Sequence, residues 1–218
     1  MGNEPLTISK NRFRAGLSGA IKWIIPAILA MMVLLPGCAT VDRSVNFLYQ
    51  PAASGRGGSG DLYLAQNIHP LSGRPEVEWI VGDIKDGSGE KTGNIVSSRP
   101  PVDTLMEAFS QELKAAGYSV IPVEVLPDKV AKGIKLTSVS IRLEEIDRVY
   151  KVETRCTVKV SLEPWRNGAP IKRLYYESSQ EESTLIDRDM ILLKSEQTAL
   201  QQLLDRAVKE VIVLIEQN

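Results

Sequence analysis

Two stretches of period-two alternation on either side of Asn167-Gly168 constrain the fold more than any other feature of the sequence. Apolar and polar side chains alternate over residues 149–163, and a partner stretch follows over residues 171–182. An Asn-Gly pair between two such runs is typical of the two-residue turn of a β-hairpin. Alternation also indicates that one face of each strand is buried, whereas the other is wet or covered by a partner. The sequence therefore predicts a hairpin within a sheet that has one buried face.

Further strands are predicted before this hairpin. In chain order they cover residues 62–66, 76–84, a brief extension at 95–96, 118–123 and 134–143. Pro122 lacks a backbone N–H, so its segment must be an edge strand or a strand end. The alternation changes phase between Leu136 and Val139, which predicts a β-bulge.

Two helices complete the pattern. Pro100-Pro101-Val102-Asp103 opens the first, which has apolar residues at helical spacing up to Leu113 and a stop at Gly117. The second covers residues 189–216 and has one broad apolar stripe. Its polar face mixes acidic and basic residues, which favours packing on the sheet over lying on a membrane surface. We predict a single α+β domain over residues 61–218: an antiparallel or mixed sheet with one short helix and a long C-terminal helix packed on one face.

The N-terminal region has the layout of an export signal. Lys10, Arg12, Arg14 and Lys22 precede an apolar run over residues 23–35, and a small residue, Gly37, follows it. An uncut transmembrane anchor is the alternative, but the run is shorter than the roughly 20 apolar residues that a bilayer requires. Pro26 also interrupts it. We therefore predict a signal peptide over residues 1–37.

The segment Leu35-Pro36-Gly37-Cys38 resembles the lipobox of bacterial lipoproteins. That resemblance implies cleavage after Gly37 and acylation of Cys38, which would hold the protein to a membrane through its acyl chains. Ala39 follows the cysteine, where an aspartate would indicate retention in the inner membrane, so the implied location is the outer membrane, facing the periplasm. Residues 38–60 are predicted to be the acylated N-terminus and a flexible tether, because residues 54–60 are rich in glycine and serine. Apolar residues at 45, 47, 48 and 49 leave open that part of the tether docks on the domain or on a partner.

Charge and cysteine content exclude some classes of protein. Removal of residues 1–37 leaves 22 of the 26 basic and 26 of the 27 acidic side chains. This weakly acidic balance argues against a nucleic-acid-binding protein. If Cys38 is acylated, Cys156 has no partner for a disulfide within the chain. Its alternation with neighbouring valines predicts a buried thiol on the core face rather than a nucleophile.

The sequence offers few candidates for catalytic or metal chemistry. Residues 87–92 superficially resemble a phosphate-binding loop, but Glu90 occupies the position of the required glycine, so we expect no nucleotide. His69 is the only histidine and has no companion ligands, so we expect no metal. Glu144, Glu145 and Asp147 are interpreted as a polar turn between strands, with a glycosidase-like carboxylate pair as the alternative. We expect no cofactor and no enzymatic activity.

The order of elements after residue 76 resembles the YajG-type family of bacterial envelope lipoproteins. The resemblance rests on Gly82-Asp83-Ile84-Lys85-Asp86 at a strand end and on Leu113-Lys114-Ala115-Ala116-Gly117-Tyr118 at a helix end. Related layouts occur in auxiliary lipoproteins of ABC-type lipid transporters and in activators of peptidoglycan synthases. The resemblance carries over no catalytic residue.

These observations predict a non-catalytic, lipid-anchored adaptor that binds another protein of the cell envelope. Trp165, Tyr175 and Tyr176 near the hairpin are the candidate partner-binding residues, because aromatic side chains are enriched at interfaces. Ordinary packing within the sheet is the alternative for all three. Two other functions stay open: an accessory lipoprotein of a lipid-transport system, and a wall-directed hydrolase that uses Glu144 or Glu145.

Overall fold

The computed structural model describes residues 42–52, 55–66 and 79–217. Nine strands and two helices lie within these ranges. In chain order they are β1 (Arg43–Val45), β2 (Asp61–Gln66), β3 (Trp79–Lys85), β4 (Lys91–Ser97), α1 (Pro101–Ala115), β5 (Ser119–Val123), β6 (Lys132–Asp147), β7 (Val152–Arg166), β8 (Ala169–Pro170), β9 (Leu174–Thr184) and α2 (Arg188–Glu216). The predicted signal peptide, the residues around Cys38 and His69 lie outside the described residues.

All nine strands belong to one mixed sheet that is organised around β6. Along one edge, β6 pairs antiparallel with β7, which in turn pairs with β9. Along its other edge, the first part of β6 pairs parallel with β2 and the last part pairs parallel with β3. The register shifts between Leu136 and Ser138, which confirms the predicted bulge. Because two strands share one edge of β6, the sheet branches there.

The helices and the buried side chains confirm the predicted α+β class. Both helices pack on one face of the sheet; α2 contacts β7 and β9, and α1 contacts β5 and β6. Side chains such as Leu105, Phe109, Leu200 and Leu204 are fully buried between the layers. Asp187 caps the start of α2, since its carboxylate accepts a hydrogen bond from the Met190 N–H at 3.1 Å.

The predicted hairpin is present, with one change in its second strand. Asn167 and Gly168 both have positive φ angles, 51° and 79°, as a type I′ turn requires. The chain then pairs only through Ala169–Pro170 before β9 begins at Leu174. Pro122 of β5 lies on an edge strand, as predicted, because β5 pairs with β2 alone.

Two local predictions are wrong. The stretch predicted as a brief extension at 95–96 is the seven-residue strand β4, which pairs antiparallel with β3. Its polar first half, Lys91-Thr92-Gly93-Asn94, hides the alternation, but backbone pairing with β3 stabilises it as a strand. Glu144, Glu145 and Asp147, predicted to form a turn, are instead the last part of β6. The turn itself covers residues 148–151, after the carboxylates.

Gly82 permits a close approach between β3 and β6. A Cβ atom at this position would overlap the backbone carbonyl group of Leu143. We therefore expect Gly82→Ala to lower the free energy of unfolding by about 2 kcal/mol, since one of two paired strands must shift. Gly87→Ala is the matched control, because its Cβ would lie an acceptable 3.4 Å from the Asp147 carbonyl oxygen. Urea unfolding of both variants checks this, and equal midpoints would contradict it.

Candidate functional site

The segment before β2 is held on the domain. β1 pairs parallel with β4, and Phe47 and Tyr49 are buried at 1% and 9% exposure. The Tyr49 hydroxyl and the Ala52 N–H each donate a hydrogen bond of 2.6 Å to Oε1 of Glu112. Burial and the Glu112 carboxylate raise the pKa of Tyr49, so this hydroxyl stays a donor. Of the two options left open for the apolar residues here, the structure shows docking on the domain.

The glycine-rich part of the predicted tether also contacts the domain where it is described. The Gly58 N–H donates a 3.0 Å hydrogen bond to the Ala116 carbonyl at the end of α1. Lys132 Nζ donates a 2.9 Å hydrogen bond to the Ser59 carbonyl. Residues 42–52 and 55–60 are therefore packed against the body, because buried apolar side chains and backbone hydrogen bonds outweigh the chain entropy of a free linker.

The described chain starts at one end of the sheet. Arg43 forms an ion pair with Glu145 near the end of β6, and its Nε lies 3.8 Å from Asp189 at the start of α2. The Asn94 N–H donates a 2.9 Å hydrogen bond to the Asp42 carboxylate. Three connections meet at this end: residues 86–90 between β3 and β4, 148–151 between β6 and β7, and 185–187 between β9 and α2.

The same end exposes large apolar side chains. We call these residues the apolar tip: Val149, Tyr150, Leu185, Ile186 and Met190, with exposures of 89%, 85%, 77%, 91% and 68%. The two loops lie side by side because Val152 pairs with Thr184, directly after one loop and directly before the other. In the sequence, the tip is visible only as apolar residues within segments that connect elements, and neither strand alternation nor helical spacing marks such residues.

A buried carboxylate joins the tip to the first strand. Glu145 is 1% exposed and lies between the guanidinium groups of Arg43 and Arg188, the latter at 4.0 Å. Burial raises the pKa of Glu145, and the two guanidinium groups oppose that rise. Arg188 also donates two hydrogen bonds of 2.9 Å to the Asp147 carboxylate. This polar cluster fixes the start of β1, the end of β6 and the start of α2 relative to one another.

The three candidate aromatic residues have different environments. Tyr175 is 59% exposed, and its hydroxyl donates a 2.8 Å hydrogen bond to Glu177. Tyr176 is 8% exposed, and its hydroxyl donates a 2.7 Å hydrogen bond to Glu210 of α2. Trp165 is half-buried, and its Nε1 is buried without an acceptor. Successive residues of a strand point to opposite faces, so Tyr176 packs against α2 whereas Tyr175 points away from it. Of the three candidates, Tyr175 alone is well exposed.

Tyr175 belongs to a face of the sheet that neither helix covers in the described structure. We call this surface, formed by β3, β6, β7 and β9 opposite the helices, the open face. Ion pairs cross it from strand to strand. They join Lys91 to Asp83 (2.6 Å), Arg142 to Asp83 (3.1 Å), Lys85 to Glu144 (3.1 Å), Arg155 to Glu181 (2.6 Å) and Lys159 to Glu177 (3.0 Å). The open face is therefore polar, with both signs of charge interspersed.

The thiol of Cys156 is buried on the core face, as predicted. Burial and the nearby carboxyl group of Glu196 raise its pKa, so the thiol is held in its unreactive protonated form. Glu196 of α2 is itself 1% exposed, and its Oε1 has no hydrogen-bond partner. Burial raises the pKa of Glu196 to about 8. In its charged form, this buried carboxylate would therefore destabilise the folded protein.

The structure separates Glu144 from Glu145, the two carboxylates considered for hydrolysis, whereas Glu145 and Asp147 both lie against Arg188. Glu144 lies on the open face, paired with Lys85, whereas Glu145 is buried on the opposite side. Adjacent residues of a strand cannot flank one bond, so Glu144 and Glu145 do not form a glycosidase-like pair. Among the described residues, no group of three His, Cys, Asp or Glu side chains is arranged to hold a metal ion. No helix within the described ranges is long and apolar enough to span a bilayer.

The loop that resembles a phosphate-binding motif is a tight hairpin turn. The Asp86 carboxylate accepts hydrogen bonds of 2.9 Å from both the Ser88 and the Glu90 N–H groups. Two N–H groups of this loop are therefore already bound to a carboxylate of the chain itself.

The solved structures that resemble this protein below are distant in sequence, at 10–11% identity. No protein-family model matches the sequence, so the resemblance to YajG-type lipoproteins stays a prediction. No curated protein matches it either. Among solved structures, a Xanthomonas campestris protein of the DUF330 family is similar, with a TM-score of 0.46 and 11% identity over 81% of this chain and 98% of that chain.

Two bacterial lipoproteins are also structurally similar. A minor lipoprotein of Acinetobacter baumannii has a TM-score of 0.34 and 11% identity, over 71% of this chain and 90% of its own. Rare lipoprotein B of Shewanella oneidensis has a TM-score of 0.31 and 10% identity, over 60% and 89%. At these values the similarities assign no function to this chain.

Proposed function

We propose that the protein is a lipid-anchored lipoprotein of the bacterial cell envelope, attached through acyl chains on Cys38. Its domain acts as a non-catalytic binding module for another envelope component. The lipobox-like segment supports the anchor. The lack of an aspartate at position 39 favours the outer membrane, with the domain facing the periplasm.

The open face supports the binding role. Its interspersed charges offer a partner a pattern of both signs, and complementary charges across an interface favour one partner over others. Tyr175, at 59% exposure, supplies a large amphipathic contact on this surface. A polar face with one exposed aromatic side chain suits a reversible partner better than a permanent one, because obligate interfaces are more hydrophobic.

We expect Cys38→Ser to abolish acylation and to release the protein from the membrane fraction. Metabolic labelling with an alkyne fatty acid and mass spectrometry of the N-terminal peptide measure this directly. The wild-type chain should carry the label on a peptide that starts at Cys38. An unmodified N-terminal peptide in the wild-type chain would contradict the anchor.

The binding role is tested by photo-crosslinking in cells. A photoreactive phenylalanine analogue at position 175 of the acylated protein should capture one dominant envelope protein. The matched control is the same analogue at Val125, which is 77% exposed but outside the open face, and it should not capture that protein. Equal capture at both positions would contradict a specific site. Dominant capture of phospholipid at position 175 would instead favour a lipid-transport accessory.

A further inference from the structure

We propose that the apolar tip lies against the same bilayer that holds the acyl chains, as a second contact between protein and membrane. This inference rests on the proposed acylation of Cys38. It goes beyond that proposal, because an acyl anchor alone fixes neither the distance of a domain from the membrane nor its orientation.

The length of chain between Cys38 and the domain carries the inference. Asp42 is only four residues after Cys38, and four residues span about 14 Å at full extension. Asp42 accepts a hydrogen bond from the Asn94 N–H, so the structure fixes where this short connection ends.

That point lies at the tip end of the sheet. β1 runs parallel to β4, and β4 starts at Lys91, directly after the turn between β3 and β4. The start of β1 is therefore directed toward the same end of the sheet as the start of β4, where the three connections meet. Arg43 contacts Asp189 and Glu145, and Arg188 in the same cluster binds Asp147 next to the turn that carries Val149 and Tyr150. An acylated Cys38 would hold this end of the domain, and no other, close to the bilayer.

The chemistry of the tip fits a bilayer surface. Its five large apolar side chains come from two neighbouring loops and the first turn of a helix. Exposed apolar side chains that are grouped at one end of a domain mark interaction sites. Tyr150 is of the residue type that favours the headgroup depth of a membrane. Arg148 and Lys151 flank the apolar pair of the first loop, whereas Asp187 and Asp189 lie at the start of α2. The charges near the tip are mixed, so apolar insertion rather than attraction to anionic lipid holds it.

This orientation has a structural consequence. The tip end of β6 would lie at the membrane. Lys135, near the other end of β6, would lie about 40 Å from Asp147 along the strand. Val125 lines the same surface cavity as Lys135 and Gly168 of the hairpin turn, so it would lie at that far end. The open face would then stand to the side, accessible to a partner while the tip stays on the bilayer.

Fluorescence quenching tests the contact. Tyr150→Trp places a tryptophan at the tip, and Val125→Trp places one at the far end of the domain. Both variants are made in the mature, acylated protein. Each protein is reconstituted into vesicles of phosphatidylethanolamine and phosphatidylglycerol at a ratio of about 3:1, with or without bromine on the acyl chains. We expect bromine to lower the added emission of Tyr150→Trp about twofold, since interfacial aromatic rings reach the headgroup level. Val125→Trp should not respond.

A second pair of variants shows which side chains hold the tip in place. Leu185→Ser with Ile186→Ser should abolish the quenching of Tyr150→Trp, because polar side chains remove the apolar contact. Val125→Ser is the matched control, since Val125 and Leu185 are both 77% exposed, and it should leave the quenching unchanged. All these residues are exposed, so we expect each variant to fold like the wild-type protein, and urea unfolding checks this.

The outcomes separate this inference from the proposed function. The mass of the N-terminal peptide is measured on the same sample. An N-terminus without acyl chains would overturn both proposals. An acylated protein in which Tyr150→Trp is quenched no more than Val125→Trp would overturn only the membrane contact. Capture of one protein, and no phospholipid, by a photoreactive residue at position 186 in cells would overturn it as well, in favour of a protein-binding tip.

Discussion

Phe47→Ala is expected to lower the free energy of unfolding by about 3–5 kcal/mol, the usual cost of removing a fully buried aromatic ring. Phe47 is 1% exposed, although it belongs to the segment that precedes the main body of the sheet. Its ring belongs to the same buried cluster as the side chains of α1 and β4. The segment that follows the proposed anchor is thus part of the core, and its loss should weaken the whole domain.

Leu48→Ala provides the control for this prediction, because the adjacent side chain is 77% exposed. We expect its effect to stay within about 0.5 kcal/mol, as for other surface substitutions. Urea unfolding of the Cys38→Ser chain without residues 1–37 measures both variants in the absence of acyl chains. A loss below about 1 kcal/mol for Phe47→Ala would show that the segment is not part of the cooperative core.

Glu196→Leu is expected to raise stability at alkaline pH and to flatten its pH dependence. The wild-type carboxyl is buried, Oε1 lacks a partner, and burial raises its pKa from 4.5 to about 8. The unfolded chain releases this proton near pH 4.5, whereas the folded chain retains it up to about pH 8. Rising pH therefore favours the unfolded state within this window, at up to about 1.4 kcal/mol per pH unit. The contribution is fully present below pH 4.5 and is lost as the pH rises to about 8.

Over that window the wild-type protein should lose about 4 kcal/mol relative to Glu196→Leu. Urea unfolding at pH 5, 7 and 8.5 measures the difference, which isolates this one group from all other titrations. Glu107→Gln, on the exposed side of α1, is the control and should keep the wild-type slope. An identical pH slope in Glu196→Leu and the wild type would contradict the buried, protonated carboxyl.

Local sequence patterns were enough to predict the elements whose boundaries depend on neighbouring residues. Asn167-Gly168 defined its hairpin because both residues tolerate positive φ. Pro122 placed β5 at an edge because it cannot donate to a ladder. The apolar stripe predicted α2 to within one residue of its observed start at Arg188. Alternation also placed Cys156 in the core, since the alternation of a strand depends only on which of its side chains share a face.

The sequence by itself thus determined the α+β class, the hairpin, both helices and the lipobox-like segment. Only the tertiary structure decided that β2 and β3 share one edge of β6, and that Phe47 belongs to the core. It also distinguished exposed Tyr175 from buried Tyr176, and it brought two loops more than 30 residues apart together as the apolar tip. The physical reason is that periodicity records which side chains face the same way along one element. Which strands pair, and which surfaces stay uncovered, depends on contacts between residues that are distant in the chain.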